Sequence, residues 1–275
     1  MKSLKEHITE GLLDDIETTL KNSDKNNLKV IRAGVIEFLK ENYSGRYKIS
    51  AKPNSDGKFE VSANINDIEL KNRNAKSLTN GNFIFTDIGT GKYLNFTAQG
   101  DKLIDLTGAP RFVSGAFSIH SPVLESLKGC ENLVTTNLNI SICPKLKSLE
   151  YYPKLVKGNI HLYDLGITDL KGMTKYDSLT PSVGSTYVLY KLNIKDLTGN
   201  TVKAIGTLEV RCCPNIASLK NGPSEVWSTR LSDCPKLSSV EGFPVKSDKL
   251  VQIWNCPLKE NEIKDVCKTQ IVVMN

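Results

Sequence analysis

The chain has 275 residues, 39% hydrophobic and 24% charged, and Lys plus Arg exceed Asp plus Glu by 36 − 30 = 6. That balance excludes a fibrous or wholly disordered protein, and scattered lysines solubilise more than they recognise, so nucleic acid is not indicated as a partner. No stretch approaches the roughly 18 apolar residues of a membrane-spanning helix, so no membrane is implied either.

The first residues, MKSLKEHITEGLLDD, place Glu6, His7 and Glu10 where a secretory signal needs an apolar run, so the expected location is a cytoplasm. Seven cysteines, an odd number without an export signal, point to reduced thiols. Ser3 and Glu6 form a capping box, and Leu4, Ile8, Leu12, Ile16 and Leu20 recur every four residues, which predicts an amphipathic helix over 3–21. A second helix follows through Leu28, Ile31, Val35 and Leu39 and ends near Asn42. RYKISA and KFEVSAN, joined across an Asp56-Gly57 turn, read as a hairpin, with further strands at NDIELKNR, NFIFTDI and KYLNFTA.

From residue 101 the chain repeats itself. The pattern apolar-x-x-apolar-x-Gly begins at Leu103, Leu124, Leu146, Ile167, Ile194, Ile216, Leu237 and Leu258, at intervals of 21, 22, 21, 27, 22, 21 and 21, and the last copy is degraded. Glycine stands two residues after the second apolar position at 108, 129, 172, 199 and 242, with Tyr151 and Asn221 as exceptions. Short alternating segments lie between the repeats: Phe117 to Ile119, Leu138 to Ile142, Ile160 to Leu162, Leu208 to Val210 and Val251 to Ile253. A period near 21 residues fits a strand, a tight turn and an extended return, stacked coil on coil as a solenoid. The expected fold class is therefore α+β. A helix occupies 1–22, a helix-plus-β cap 23–100, and a parallel β-solenoid 101–275.

Cys143, Cys213, Cys234 and Cys256 each precede a proline, the last three 21 and 22 residues apart, which places them in one inward column of small apolar thiols. Structural zinc needs paired C-x₂₋₄-C ligands, and none occur. Cys212 beside Cys213 must face the other way.

The run IDLTGAPRFVSGAFSIHSP, with LKSLEYYPKLVKGNIHLYD and LSSVEGFP, resembles the leucine-rich-repeat-like proteins, of the LTSLEGAP type, of tailed bacteriophages and gut bacteria. The resemblance covers 103–257 and implies a scaffold for interaction surfaces, without the asparagine ladder of larger leucine-rich repeats. MKSLKEHITEG is similar to the N-terminal targeting peptides of phage head proteins, cut after (Leu or Ile)-x-Glu. That likeness makes Ile8, Glu10 and Gly11 a candidate processing site. The alternative is a helix that packs on the cap.

Candidate catalytic groups do not converge. His120 and His161 occupy different offsets in their repeats, and GTGKY at 89–93 lacks the spacing of a phosphate loop. Asp105, Asp169 and Asp196 exchange with Ser126, Ser148, Ser218 and Ser239, as a turn-capping position allows. The lysines at 128, 171 and 220 alternate with Thr and Glu and form no positive stripe. The 27-residue interval carries extra residues with Tyr176 and Tyr187, a candidate interaction loop, or else an insertion without a role. The expectation is a non-enzymatic structural or protein-interaction protein of a tailed phage, packaged in the virion if the N-terminal peptide is a tag, with another protein as partner and no cofactor or metal. The alternative is a bacterial binding module with no virion role.

Overall fold

Within each repeat the backbone reverses direction at two corners; the first is built on a left-handed residue from Gly108 onward and the second from Ile142 onward. The first corner is a four-residue turn closed by hydrogen bonds such as Ala109 N–H to Leu106 O at 2.9 Å and Cys130 N–H to Leu127 O at 2.9 Å. Its third position has positive φ in every coil: Gly108, Gly129, Gly172, Gly199 and Gly242, and also Tyr151 and Asn221. Type II turns demand this conformation there. The two exceptions in the glycine pattern therefore keep its geometry and carry its steric cost. The exchanging Asp and Ser side chains brace the same turn from within, accepting from the backbone N–H two residues on: Asp105 from Thr107 at 2.9 Å, Ser148 from Glu150 at 3.0 Å, and Asp196 from Thr198 at 2.7 Å.

The second corner follows the strand. Ile142, Asp164, Lys191, Cys212, Asp233 and Asn255 all have φ between 49° and 55°, and each immediately precedes an inward residue. Where that residue is Cys143 or Cys234, the proline after it starts another turn, closed by Leu146 N–H to Cys143 O and Leu237 N–H to Cys234 O, both at 3.0 Å. Proline fixes φ at the second turn position, which accounts for the recurring Cys-Pro pair.

The computed structural model describes residues 43–53, 59–78, 83–87, 95–174, 184–269 and 272–274, and helical residues at 33, 36–37 and 39–42. The expected first helix, most of the second, and Ile8, Glu10, Gly11 and Tyr176 lie outside the described residues. Strand β1 (Tyr43–Pro53) pairs antiparallel with β2 (Phe59–Leu70), the expected hairpin. NDIEL is the second half of β2 instead of a separate strand. From β2 onward the sheet is parallel. β3 (Phe83–Asp87) runs beside the first half of β2 and β4 (Asn95–Gln99) beside the second.

The ladder then continues through β5 (Phe112–His120), β6 (Val134–Cys143), β8 (Ile160–Leu165), β9 (Thr186–Tyr190), β10 (Ala204–Arg211), β11 (Glu225–Ser232) and β12 (Lys246–Trp254). Short β7 (Leu155–Val156) pairs β6; helix α1 (Glu260–Val266), β13 (Lys268–Thr269) and β14 (Val272–Met274) close the last coil. The whole is a parallel β-solenoid of about eight turns with one long sheet, and it crosses residue 100 without a break.

Each inward position stacks on its equivalent. One column runs Phe96, Phe117, Leu138, Ile160, Tyr187, Leu208, Thr229, Val251, and another runs along the return segment from Leu103 to Leu258. Phe96 and Phe117 stack at 5.5 Å, and Tyr43 caps Phe96 at 6.1 Å, so the aromatic residues fill the N-terminal end of the core. The return segments also bond between coils, as in Ala217 N–H to Lys195 O at 2.8 Å. Strands β9 and β11 lack a clean sequence signal for physical reasons. Tyr187, Val188 and Leu189 are all buried, which hides the alternation of β9, and Thr229 breaks the apolar column in β11. A short amide ladder is present where none was expected: Asn95 accepts from Ala116 N–H at 2.7 Å, Asn137 from Asn159 N–H at 3.0 Å, and Asn159 from Thr186 N–H at 2.7 Å. Ser185 continues it to Gly206 N–H at 3.0 Å.

The two corners give opposite responses to substitution. A Cβ at Gly129 would collide with the Leu106 backbone of the preceding coil, so Gly129→Ala should destabilise strongly in chemical denaturation. Ile142 is an exposed β-branched residue at φ 51°, and Ile142→Asn should raise stability by about 1 kcal/mol, because Asn tolerates that conformation. The buried Thr229 hydroxyl has no hydrogen-bond partner, so Thr229→Val, which keeps the shape and removes it, should also stabilise, by about 1 kcal/mol.

Candidate functional site

Because strand residues alternate, every second residue of the sheet faces away from the core, and the in-register parallel pairing aligns these outward residues into columns. One column runs Ser118, Asn139, His161, Val188, Glu209, Arg230, Gln252. The next runs His120, Ser141, Tyr163, Tyr190, Arg211, Ser232, Trp254. Its first coils carry His120 and Ser141, and its later coils carry the tyrosines, Arg211 and Trp254.

Tyr163 and Tyr190 meet at 5.6 Å between ring centroids, and His161 stands edge-on to Tyr163 at 5.9 Å. Arg211 lies over the Tyr190 ring at 5.9 Å and Lys191 at 5.5 Å. Glu209 is the electrostatic centre of the face, 3.1 Å from the Arg211 guanidinium and 4.0 Å from that of Arg230. Its hydrogen bond raises the Arg211 pKa, fixing that charge. Burial lowers the His161 pKa, against the pull of Glu209, and the ring nitrogen Nε2 lies 2.7 Å from Thr186 Oγ1. Next to Arg211 the column drops to Ser232 before rising to Trp254, which is 56% exposed. The step opens a cleft of about 230 Å³ lined by Glu209, Arg211, Arg230, Ser232, Gln252 and Trp254.

The candidate residues named from the sequence fall elsewhere. Tyr187 is fully buried in the core column, its hydroxyl 3.6 Å from Met173 Sδ, so it makes no contact surface. The extra residues of the long interval precede β9 without disturbing its register, since Ile160 pairs Tyr187 and Tyr163 pairs Tyr190. Cys143, Cys213 and Cys234 are buried, and Cys256 is half-buried at the end of the column. Leu165 and Leu192 occupy the two coils between Cys143 and Cys213, so the continuous thiol stack is Cys213, Cys234, Cys256. Each stacked thiol donates to a backbone carbonyl, Cys213 to Arg211 O at 3.4 Å, Cys234 to Ser232 O at 3.3 Å and Cys256 to Trp254 O at 3.3 Å, and the neighbouring thiol lowers Cys213, raises Cys234 to about 12 and holds Cys256 well above the ordinary thiol range. Burial raises Cys143 to about 11. Cys212, half-exposed at the corner, faces away from Cys213.

His120 and His161 stand in different outward columns, and among the described residues no three metal-ligating side chains converge. No helix among the described residues is long and apolar enough to cross a membrane. Lys171 and Lys220 pair with Asp169 at 3.7 Å and Glu241 at 2.9 Å on the opposite side of the coil, a solvated mixed surface. Compared with models of known protein families, with curated proteins and with solved structures, the chain matches none.

Sequence reasoning stopped one residue short of this face. Tyr163, Arg211 and Trp254 are the next outward positions beyond the alternating segments Ile160 to Leu162, Leu208 to Val210 and Val251 to Ile253. Counting two further from the last outward residue finds all three.

Two measurements check the titration and the burial. With the His161 pKa below its unfolded value, protonation is costlier in the fold. Its stability contribution is therefore full above about pH 6.5 and falls as pH drops through the window between that and the lowered pKa. Thermal unfolding temperature should decline more for the native chain than for His161→Gln between about pH 7.5 and 5.5. Under native alkylation, Cys212 should react first and Cys256 more slowly, while Cys143, Cys213 and Cys234 should wait for unfolding, as peptide mass mapping would read directly.

Proposed function

We propose that the chain is a non-enzymatic interaction protein of a tailed phage that binds another protein through the outward face of its sheet. The observation that supports the reading is the concentration of Tyr163, Tyr190, Arg211, Arg230 and Trp254 on one rigid face, since Tyr, Trp and Arg are the residue types that dominate protein interfaces. A parallel solenoid holds those side chains at a fixed spacing near 4.8 Å per coil, so little order is lost when a partner docks. Planar rings over guanidinium groups suit binding. The phage setting rests on the resemblance of the repeats. In this reading the second helix completes the cap and the peptide ending at Glu10 is a head-targeting tag, the alternative being a first helix that packs on the cap.

A photo-crosslinking residue at Ser141, beside Tyr163 on the face, should yield protein adducts in infected cells, and one at Lys220 on the opposite side should not. Equal adducts at both positions would overturn the face as the contact surface. Mass spectrometry of purified virions should find the chain beginning at Gly11. Its absence from particles would remove the virion role and leave a bacterial binding module.

A further inference from the structure

Ser232 is the shortest side chain in its stretch of the outward column, set between Arg211 and Trp254, and the cleft exists because of that step. Arg211 and Trp254 stand two strands apart, about 10 Å along the sheet, room enough for one side chain of an incoming chain. Glu209 lies at the base with its side chain only 18% exposed, and it holds both guanidinium groups. Two cations over one carboxylate leave a surplus positive charge at the mouth.

A guanidinium has five donors in a planar fork. Among the described residues Arg230 makes a single ion-pair contact, at 4.0 Å, and its side chain is 53% exposed. Trp254 adds a large exposed apolar wall on the other side. The cleft therefore offers a bidentate anion site next to an apolar ring surface.

We propose that this cleft docks an extended acidic segment of the partner protein, an Asp or Glu carboxylate taken by Arg230 and Arg211 and a neighbouring apolar or aromatic side chain laid on Trp254. The assignment rests on the contact-face reading above and specifies the partner's chemistry. Charge complementarity selects the occupant. A nucleic-acid strand carries a phosphate on every residue and needs a continuous positive track, whereas the same column presents neutral Ser118, Asn139 and Gln252, and negative Glu209. An uncharged saccharide would leave the surplus guanidinium charge unused.

The test is a selection of random displayed dodecapeptides on the full chain, followed by affinity measurement of the enriched sequences as synthetic peptides. The expected result is enrichment of Asp or Glu beside aromatic or aliphatic residues, with affinity falling at least about tenfold on Arg230→Gln, on Trp254→Ser, or on Glu→Gln in the peptide. Both substituted side chains are more than half exposed, so melting temperatures should stay unchanged and a lost affinity reads as lost contact. No enrichment, enriched peptides without acidic residues, affinity indifferent to Arg230→Gln and Trp254→Ser, or binding to an oligosaccharide array in place of peptides would each overturn the assignment. The two levels separate cleanly. Protein adducts at Ser141 without an acidic peptide preference would sink the assignment and leave the contact face standing; loss of both would remove the face as well.

Discussion

The fold depends on reversing the backbone twice in about 21 residues, at places where an L-residue resists the required conformation. Left-handed φ costs an ordinary residue roughly 1–2 kcal/mol, yet the first corner has it at all seven positions from Gly108 to Gly242 and the second corner at all six from Ile142 to Asn255. At the first corner glycine removes the cost in most coils, and close approach to the coil beneath enforces the choice: a Cβ at Gly129, Gly172, Gly199 or Gly242 would strike backbone. At the second corner no glycine is used. Asp, Asn, Lys, Cys and Ile all occupy it, because the corner stands outside the stack, where side chains meet solvent and one another. Asn255 donates to Asp233 there at 3.1 Å.

Once the corners are set, the rest follows by repetition. A coil cannot bury its own apolar residues, so each column of Leu, Ile and Phe is completed only by its neighbours. The backbone groups of strand and return segment are satisfied in the same way, coil to coil, while the Asp and Ser braces satisfy the amides inside the turn. The insertion before β9 leaves this intact because it enters between register-fixed elements. Tyr163 and Tyr190 still touch across it. The binding face is thus a by-product of core stacking: inward columns fix the register, and the register aligns the outward columns.

Much of this was legible in the sequence. The period, the inward Leu and Ile positions, the glycine corner and the Asp–Ser exchange are local patterns repeated with fixed spacing, and each maps onto one physical requirement of the turn. The second corner was not legible, since Ile142, Asp164, Lys191 and Cys212 share a conformation without sharing chemistry. The amide ladder has no regular sequence period because Ala116 interrupts it between Asn95 and Asn137, and Ser185 takes over after Asn159. Tyr187 looked like an exposed loop residue because it follows a run of Ser, Thr, Pro and Gly, but register places it opposite Ile160 and Leu208, in the core. The contact face depends on which residues stand beside one another across strands some 21–27 positions apart. No single segment displays that.

Amide hydrogen exchange along the strands tests the neighbour-dependent stacking most directly. In a ladder where each coil is held by the two beside it, protection should be greatest in β8, β9 and β10 and decline in steps toward β4 and β12, with the amides of Leu162, Leu189 and Val210 exchanging last. Central strands that exchange as fast as the terminal ones, or a sharp boundary of protection between β8 and β9, would contradict a single continuous stack.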